Sequence, residues 1–108
     1  MATIRLDLVP LYEWGMFTEP RPSVIAGPCS AESEEQVMET AKGLRDMGIN
    51  VYRAGIWKPR THPGCFEGAG SEGLRWMQKA KKEYGLKIAT EVASEKHVFE
   101  CLKFGVDL

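Results

Sequence analysis

The sequence predicts an α/β fold in which short buried strands alternate with amphipathic helices. Apolar runs of strand length recur along the chain, each is followed by apolar residues at helical spacing, and glycine or serine marks most boundaries. Strands that alternate with helices in this way are parallel and joined by crossover helices. Two architectures satisfy that pattern, an α/β barrel and a doubly wound sheet.

An amino-terminal segment precedes the repeating part of the chain. Residues 4–9 alternate between apolar and polar side chains, which predicts a short strand. Pro20 and Pro22 separate this strand from the repeating units. We therefore treat residues 1–22 as an amino-terminal extension and residues 23–108 as the first part of the main domain.

The first strand–helix unit begins with the apolar run at residues 23–26, which ends at the turn Gly27-Pro28. Ser33, with Gln36 three residues later, forms a capping-box pattern, so a helix is expected from there to Gly48. Apolar residues at helical spacing predict the buried face of that helix: Val37, Ala41, Leu44 and Met47.

Two further units have the same organisation. Residues 50–54 predict a second strand, and Ser71 can cap a second helix that ends at Gly85. The shared face of that helix carries Leu74, Met77, the stem of Lys81 and Tyr84. Residues 86–92 predict a third strand. Ser94 caps a third helix that ends before residues 106–108 and carries Val98, Cys101 and Leu102.

Residues 106–108 look like the start of a fourth strand. We therefore expect the architecture to be incomplete at that point, with strand edges that nothing in the sequence covers. Uncovered edges favour association or misfolding, so the isolated chain is expected to self-associate or to fold poorly.

Composition, charge and cysteine count limit the broad class of the protein. The chain has 108 residues, 27% of them charged, and a net charge of -1, which fits one globular domain. This charge argues neither for nor against nucleic acid or an anionic membrane, and we expect neither as a partner. No apolar run approaches the roughly 18 residues that a membrane helix needs. The three cysteines, Cys29, Cys65 and Cys101, are odd in number and form no Cys-x-x-Cys pair, so we expect a reducing, cytoplasmic location.

The residues most suited to chemistry come after the predicted strands, where both architectures bind ligands. The connection at residues 53–70 is long and rich in glycine and proline, and it carries Arg53, Lys58, Arg60 and Thr61. Three cations with a hydroxyl nearby can hold a phosphate or a carboxylate. The alternative is that they are solvated loop cations. Arg53 favours the first interpretation, because it lies inside an apolar strand where an unpaired charge is costly.

Other polar and aromatic residues keep two interpretations each. Cys29 is either a small buried residue, which the spacing favours, or a thiolate ligand for a divalent metal. Glu91 either pairs with a cation such as Arg53 or Lys58, or lies exposed as a catalytic carboxylate. The remaining candidates are expected to be ordinary surface or packing residues: His62, His97, Trp57, Trp76, Cys65 and Cys101. For His62, which is close to the basic loop, contact with substrate is the less favoured alternative.

Four motifs in order resemble a known family. They are AGPCSAE at 26–32, RAGIWKPRT at 53–61, FEGAG at 66–70 and ATEV at 89–92. Together they resemble 3-deoxy-D-arabino-heptulosonate 7-phosphate (DAHP) synthases of the type related to 3-deoxy-D-manno-octulosonate 8-phosphate (KDO8P) synthase. The resemblance runs from about residue 22 to the end, and is strongest to enzymes in which the synthase precedes a chorismate mutase domain.

This resemblance implies a (β/α)8 TIM barrel, of which the first three βα units and the start of strand four are present. It implies a transferase that condenses phosphoenolpyruvate with erythrose 4-phosphate in the first step of the shikimate pathway, which leads to aromatic amino acids. C3 of phosphoenolpyruvate would attack the aldehyde, water would add at C2, and phosphate would leave by C–O cleavage. A homo-oligomer is also implied.

The resemblance assigns roles residue by residue. Cys29 would be one ligand of a divalent metal ion such as Mn, Fe, Co or Zn, with the other ligands outside this sequence. Arg53 and Lys58 would be catalytic residues that hold phosphoenolpyruvate, mainly at its carboxylate. The carbonyl of Pro59, with Arg60 and Thr61, would hold the aldose phosphate.

One feature of the loop separates two related activities. The order Lys-Pro-Arg-Thr at 58–61 favours the four-carbon aldose phosphate, because KDO8P synthases resemble Lys-Ala-Asn-Arg-Ser at this point. His62 departs from the serine expected next. KDO8P synthase and sialic acid synthase are the alternatives of the same class. An alternative of another class is that the 108-residue chain alone is inactive and at most a weak phosphate-binding module.

Overall fold

The computed structural model describes residues 7–17, 23–58 and 68–108. A 3-10 turn, Leu11–Trp14, precedes three strand–helix pairs. Their bounds are β1 Ile25–Ala26, α1 Glu34–Asp46, β2 Val51–Arg53, α2 Ser71–Tyr84, β3 Lys87–Ala89 and α3 Glu95–Lys103. The predicted alternation of strands and helices is therefore confirmed in the described ranges.

The three strands form one parallel sheet in the order β1-β2-β3. Ala26 is paired with Tyr52, and Tyr52 with Ile88, so these three residues share a row across the sheet. Because each strand lies beside the next one in sequence, each helix crosses between neighbouring strands. The sheet therefore brings the carboxyl ends of all three strands to one edge.

The two faces of the sheet carry different apolar clusters. One cluster combines Tyr52 and Ile88 with residues from all three helices, and its largest helix members are Val37, Leu74 and Met77. The Tyr52 hydroxyl also donates a hydrogen bond of 3.1 Å to the Val37 carbonyl, which ties β2 to α1. Alternation along a strand places Val51 and Ala89 on the opposite face, where they pack with Phe17.

Helix starts agree with the capping signals at two of three positions. The Ser33 hydroxyl accepts the Gln36 N–H at 3.1 Å, and the Ser94 hydroxyl accepts the His97 N–H at 3.3 Å. The prediction for α2 was wrong, because Gly70 occupies the capping position and Ser71 is the first helical residue. The Ser71 hydroxyl instead donates to the Glu100 carboxylate of α3 at 3.0 Å.

Several predicted burials and boundaries were also wrong. Each strand is shorter than its apolar run, because pairing stops where the chain turns toward the next helix. Met47 is 74% exposed, since it comes after the last turn of α1. On α3, Cys101 is buried but Val98 and Leu102 are exposed, since the core cluster reaches one side of that helix. Residues 7–9 form no strand, and residues 4–6 lie outside the described ranges.

Residues 106–108 lie beside β3 but form no strand there, so the predicted start of a fourth strand stays a prediction. The Asp107 and Leu108 N–H groups both donate to the Ile88 carbonyl, at 2.9 Å and 3.2 Å, and the Thr90 N–H donates to the Leu108 carbonyl at 3.1 Å. The Asp107 carboxylate pairs with Lys81 of α2 at 3.0 Å and accepts the Ile88 N–H at 2.9 Å. This pairing fixes the register between α2, β3 and the end of the chain.

The arrangement of parallel strands in sequential order, with the helices packed on one face, is consistent with part of an α/β barrel. In the described part of the chain, no helix has the length and apolar character required to cross a membrane.

Candidate active site

Residues just beyond β1, β2 and β3 meet at the carboxyl edge of the sheet. Cys29 comes after β1, Arg53 ends β2 with Lys58 five residues later, and Glu91 comes after β3. The parallel strands bring these segments together because their carboxyl ends point in one direction. The structure thus joins four of the residues that the sequence singled out.

The segment after β1 is fixed against the continuation of β2. The Gly55 N–H donates to the Cys29 carbonyl at 3.2 Å, and the Ala31 N–H donates to the Gly55 carbonyl at 2.9 Å. A Cβ on Gly55 would collide with the end of the Lys58 side chain and with the Cys29 carbonyl. The glycine therefore leaves the space through which Lys58 reaches the loop after β1.

Lys58 and Cys29 form the first polar pair of the site. The Lys58 ammonium lies 3.5 Å from the Cys29 sulfur. Cys29 is exposed, so the interpretation as a small buried residue was wrong, because its segment lies at the open edge of the sheet. An accessible thiol is suited to metal binding, since thiolate ligands favour borderline and soft divalent ions.

Arg53 and Glu91 form the second polar pair. The Arg53 guanidinium donates to the Pro28 carbonyl at 3.3 Å through Nη1, and it forms an ion pair with the Glu91 carboxylate through Nη2. Their side chains are 31% and 53% exposed, so solvent screening makes the pair a weak contribution to stability. Its effect is to orient the guanidinium. Glu91 is both exposed and paired, and its partner is Arg53 rather than Lys58.

The ends of β2 and β3 are also joined by uncharged groups. The Thr90 hydroxyl donates to the Ala54 carbonyl at 2.8 Å, and the Ala54 N–H donates to the Ala89 carbonyl at 3.2 Å. The segment that carries the two cations is therefore held from both neighbouring strands.

Trp57 and His97 form a contact that was not expected from the sequence. Their rings are stacked, with centroids 3.9 Å apart and planes 5° from parallel. The His97 ring is further oriented because Nδ1 accepts the Ala93 N–H at 3.1 Å. His97 is half-buried rather than a free surface residue, while Trp57 packs within the protein as predicted. The missed signal is the position of His97 in the first turn of α3, beside the carboxyl end of β3.

Several predicted residues lie outside the described ranges: Pro59, Arg60, Thr61, His62 and Cys65. Their predicted roles stay predictions. Cys101 has the structural environment expected of it, because it is buried on α3, and burial, with a smaller effect of Glu100, raises the pKa of its thiol.

The described residues supply part of a metal site at most. Within residues 7–17, 23–58 and 68–108, no three side chains of the histidine, cysteine, aspartate and glutamate types are grouped closely enough to hold an ion. Cys29 offers one accessible sulfur, and the Glu91 carboxylate is engaged by Arg53. The donor chemistry fits a divalent ion bound through Cys29, with further ligands from outside the described residues.

Comparison with known proteins gives consistent matches. The sequence model of the DAHP synthetase I family matches residues 17–105. A phospho-2-dehydro-3-deoxyheptonate aldolase of Thermotoga maritima is 45% identical over 73 residues, which are 68% of this chain and 22% of that protein. A 2-dehydro-3-deoxyphosphooctonate aldolase of Vesicomyosocius okutanii is 42% identical over 84 residues, which cover 71% of this chain and 30% of that protein.

Two solved structures of enzymes from Thermotoga maritima are also similar to this chain. The crystal structure of a phospho-2-dehydro-3-deoxyheptonate aldolase (DAHP synthase) is similar to this chain with a TM-score of 0.70 and 41% identity, over 74% of this chain and 23% of that one. A truncated form of a DAHP synthase from the same organism has a TM-score of 0.62 at 38% identity, over 74% of this chain and 28% of that one. The chain spans 22% to 30% of the length of the two curated relatives.

Proposed function

This chain belongs to the DAHP synthetase I family, and we propose that the protein of which it is part condenses phosphoenolpyruvate with erythrose 4-phosphate to form DAHP and phosphate. The observation that carries the proposal is the meeting of Cys29, Arg53 and Lys58 at the carboxyl edge of a parallel sheet. The two cations can bind the anionic groups of phosphoenolpyruvate, and the accessible thiol can bind a metal ion.

Arg53 and Lys58 are proposed to hold phosphoenolpyruvate. Arg53 can present a planar fork to a carboxylate, whereas Lys58 supplies a point charge. The pairing of Arg53 with Glu91 keeps the guanidinium directed toward this edge of the sheet before substrate arrives. Cations fixed in place reduce the reorganisation needed when two anionic substrates approach each other, which favours their reaction.

Cys29 is proposed as a ligand of a divalent metal, of the kind of Mn, Fe, Co or Zn. Its accessible sulfur supports this role, and a metal bound there would supply a Lewis acid for the aldehyde oxygen. Lys58 lies beside the same sulfur, so one residue would border both the metal ligand and the bound phosphoenolpyruvate. Pro59, Arg60 and Thr61 are proposed to hold the aldose phosphate.

The proposal extends to the architecture and setting of the whole protein. We infer that the strand–helix units described here continue into a complete (β/α)8 barrel, with residues 1–22 as an extension before it. A homo-oligomer, a chorismate mutase domain after the synthase and a cytoplasmic location are parts of the same proposal. The 108-residue chain by itself is expected to be inactive, since the described residues supply one of the required metal ligands.

A second candidate function, condensation of phosphoenolpyruvate with a five-carbon aldose phosphate, is supported by one of the relatives. The Vesicomyosocius okutanii relative is named a 2-dehydro-3-deoxyphosphooctonate aldolase and is 42% identical. The same cations could therefore serve phosphoenolpyruvate while a different aldose phosphate, arabinose 5-phosphate, occupies the other end of the site. The sequence Lys-Pro-Arg-Thr at 58–61 favours the first candidate.

A competition assay separates the two candidates. The full-length protein, supplied with phosphoenolpyruvate and Mn²⁺, would be given erythrose 4-phosphate and arabinose 5-phosphate in equal amounts, and the sugar acids formed would be resolved by mass. We expect the seven-carbon product to predominate and phosphate release to match it. Predominance of the eight-carbon product would favour the second candidate, and consumption of neither aldose would refute both.

A further inference from the structure

The stacked pair Trp57 and His97 joins the third helix to the segment that carries Lys58. Trp57 directly precedes Lys58 in the sequence, whereas His97 belongs to the first turn of α3. The near-parallel rings at 3.9 Å are in close van der Waals contact, and both residues are half-buried. Aromatic contacts of this kind add to what burial of the rings alone contributes.

The two neighbouring residues, Trp57 and Lys58, reach in opposite directions across the sheet. Lys58 extends toward Cys29, which comes after β1, while Trp57 extends toward α3, which comes after β3. Because the two residues are adjacent, fixing the Trp57 ring restricts the backbone from which the Lys58 side chain extends. The position of the Trp57 ring therefore helps to keep Lys58 within reach of Cys29.

His97 is itself held by two hydrogen bonds, one at its backbone and one at its ring. Its backbone N–H donates to the Ser94 hydroxyl at the start of α3, and its Nδ1 accepts the Ala93 N–H at 3.1 Å. The Ala93 bond leaves the ring one principal orientation, face to face with Trp57. Rotation of the imidazole would break this bond as well as the stack.

We propose that His97 is a positioning residue for phosphoenolpyruvate, which acts through Trp57 to keep the Lys58 ammonium at the open edge beside Cys29. The inference rests on the proposed function, because it identifies Lys58 as a ligand of that substrate. No hydrogen bond joins His97 to Cys29, Arg53 or Lys58 among the described residues, so its effect is transmitted by the stack.

Three substitutions in the full-length protein separate the stack from the hydrogen bond. His97→Phe keeps an aromatic face toward Trp57 but loses the Ala93 bond. His97→Asn keeps an acceptor near the position of Nδ1 but loses the stack. His97→Ala loses both. We expect His97→Ala and His97→Asn to raise the KM for phosphoenolpyruvate about tenfold, the size expected for a weakened charged contact, with kcat changed less than threefold.

His97→Phe should restore the KM for phosphoenolpyruvate to within about twofold of the wild type, because the stack rather than the hydrogen bond carries the effect. The KM for the aldose phosphate should stay unchanged in all three variants. The dissociation constant of phosphoenolpyruvate, measured by calorimetry without the aldose, compares the variants independently of turnover.

Two control variants test whether α3 acts only as a structural support. Glu100→Ala removes the hydrogen bond from Ser71 to α3, and Val98→Ala shortens an exposed side chain next to His97. Both substitutions leave the aromatic rings of Trp57 and His97 unchanged, so both should leave phosphoenolpyruvate binding unchanged. An equal loss of binding in Glu100→Ala and His97→Ala would overturn the inference in favour of general loosening of the helix.

The remaining outcomes are also decisive. Wild-type binding in His97→Ala, or equal defects in His97→Phe and His97→Asn, would overturn the inference while leaving the proposed function intact. If His97→Ala fails to fold, the comparison of His97→Phe with His97→Asn still decides. A wild-type protein that bound no phosphoenolpyruvate would overturn the proposed function and this inference together.

Discussion

Arg53 and Lys58 place two cations of different geometry at one edge of the sheet. Arg53 is anchored by the Pro28 carbonyl and the Glu91 carboxylate, while Lys58 extends past Gly55 toward Cys29. A guanidinium held in this way recognises the shape of a carboxylate, whereas an ammonium on a flexible stem contributes mainly charge. The two residues should therefore not be interchangeable.

Cys29→Ser in the full-length protein tests the proposed metal ligand. A hydroxyl is a poor substitute for thiolate toward borderline-soft divalent ions, so turnover should fall by about a hundredfold or more and bound metal should fall in parallel. Circular dichroism should be unchanged, because the Cys29 side chain is exposed. Retention of both metal content and activity would remove Cys29 from the site.

The two arginines of the loop should affect different substrates. Arg60→Ala is expected to raise the KM for the aldose phosphate about tenfold or more, with a smaller effect on phosphoenolpyruvate, because a charged phosphate contact is lost at one substrate. Arg53→Ala is expected to raise the KM for phosphoenolpyruvate more than the KM for the aldose phosphate. Steady-state kinetics with each substrate varied in turn gives both values. The opposite pattern would show that the two ends of the loop have been assigned the wrong way round.

The sequence predicted which polar residues would meet at the edge of the sheet. It did not predict the exposure or the contact partners of each one. Arg53 could be expected to need a partner, because it lies in an apolar strand. The exposure of Cys29 could not be predicted, since a lone cysteine gives no periodic signal of burial. The stack of Trp57 on His97 was missed for a similar reason: its partners lie in separate units, and only the fold brings them together.

At the level of elements, the close approach of β1 and β2 depends on Gly27. Its φ of 152° is rarely adopted by other residues, and a Cβ there would collide with the Arg53 carbonyl. The turn after β1 thus lies directly against the end of β2. This proximity brings Pro28 within hydrogen-bonding distance of Arg53.

Gly27→Ala should lower the free energy of unfolding by about 2 kcal/mol or more, because strain and a backbone collision are introduced together. Gly43→Ala is the matched control, since Gly43 lies in α1 with no atom within 4 Å of the added methyl group. It should raise that free energy by about 0.5 to 1 kcal/mol through helix propensity. Urea denaturation of both variants provides the comparison, and equal effects of the two substitutions would contradict this explanation of the turn.

The sequence predicted the order and type of the elements well because their signals are local. The capping serines Ser33 and Ser94 and the helical spacing in α1 required no knowledge of tertiary contacts. Boundaries and outer faces were predicted less well. Met47 continues the apolar spacing of α1 but lies beyond its last turn, and the exposure of Val98 and Leu102 depends on which neighbours α3 has.

At the level of the whole molecule, Tyr52 connects the sheet with the helix layer. Its buried hydroxyl should also make the free energy of unfolding decrease at alkaline pH. The ring is fully buried, and desolvation raises the pKa of its hydroxyl to about 12, with a smaller opposing effect of the Thr40 side chain. Because the folded state holds this proton more tightly than the unfolded state, the stabilisation is complete below pH 10 and is lost as pH rises toward 12.

Ionisation of Tyr52 should therefore lower the free energy of unfolding by at most about 3 kcal/mol between pH 10 and pH 12. Tyr52→Phe is the control. Its free energy of unfolding at neutral pH should be about 1 kcal/mol lower than that of the wild type, because the hydrogen bond to Val37 is lost. Its later decline with pH should be smaller than that of the wild type. Thermal midpoints measured from pH 8 to about 12 would test the comparison, and identical pH profiles would contradict the assignment to Tyr52.

One edge of the sheet is proposed to hold both phosphoenolpyruvate and a metal ion. A crystal structure of the full-length protein with phosphoenolpyruvate and Mn²⁺ would show whether it does. We expect the substrate carboxylate to lie within hydrogen-bonding distance of Arg53 and Lys58, at about 2.7 to 3.2 Å. The Cys29 sulfur should bind the ion in the same site. Phosphoenolpyruvate bound away from both cations, or a metal ion bound without Cys29, would contradict the proposed site.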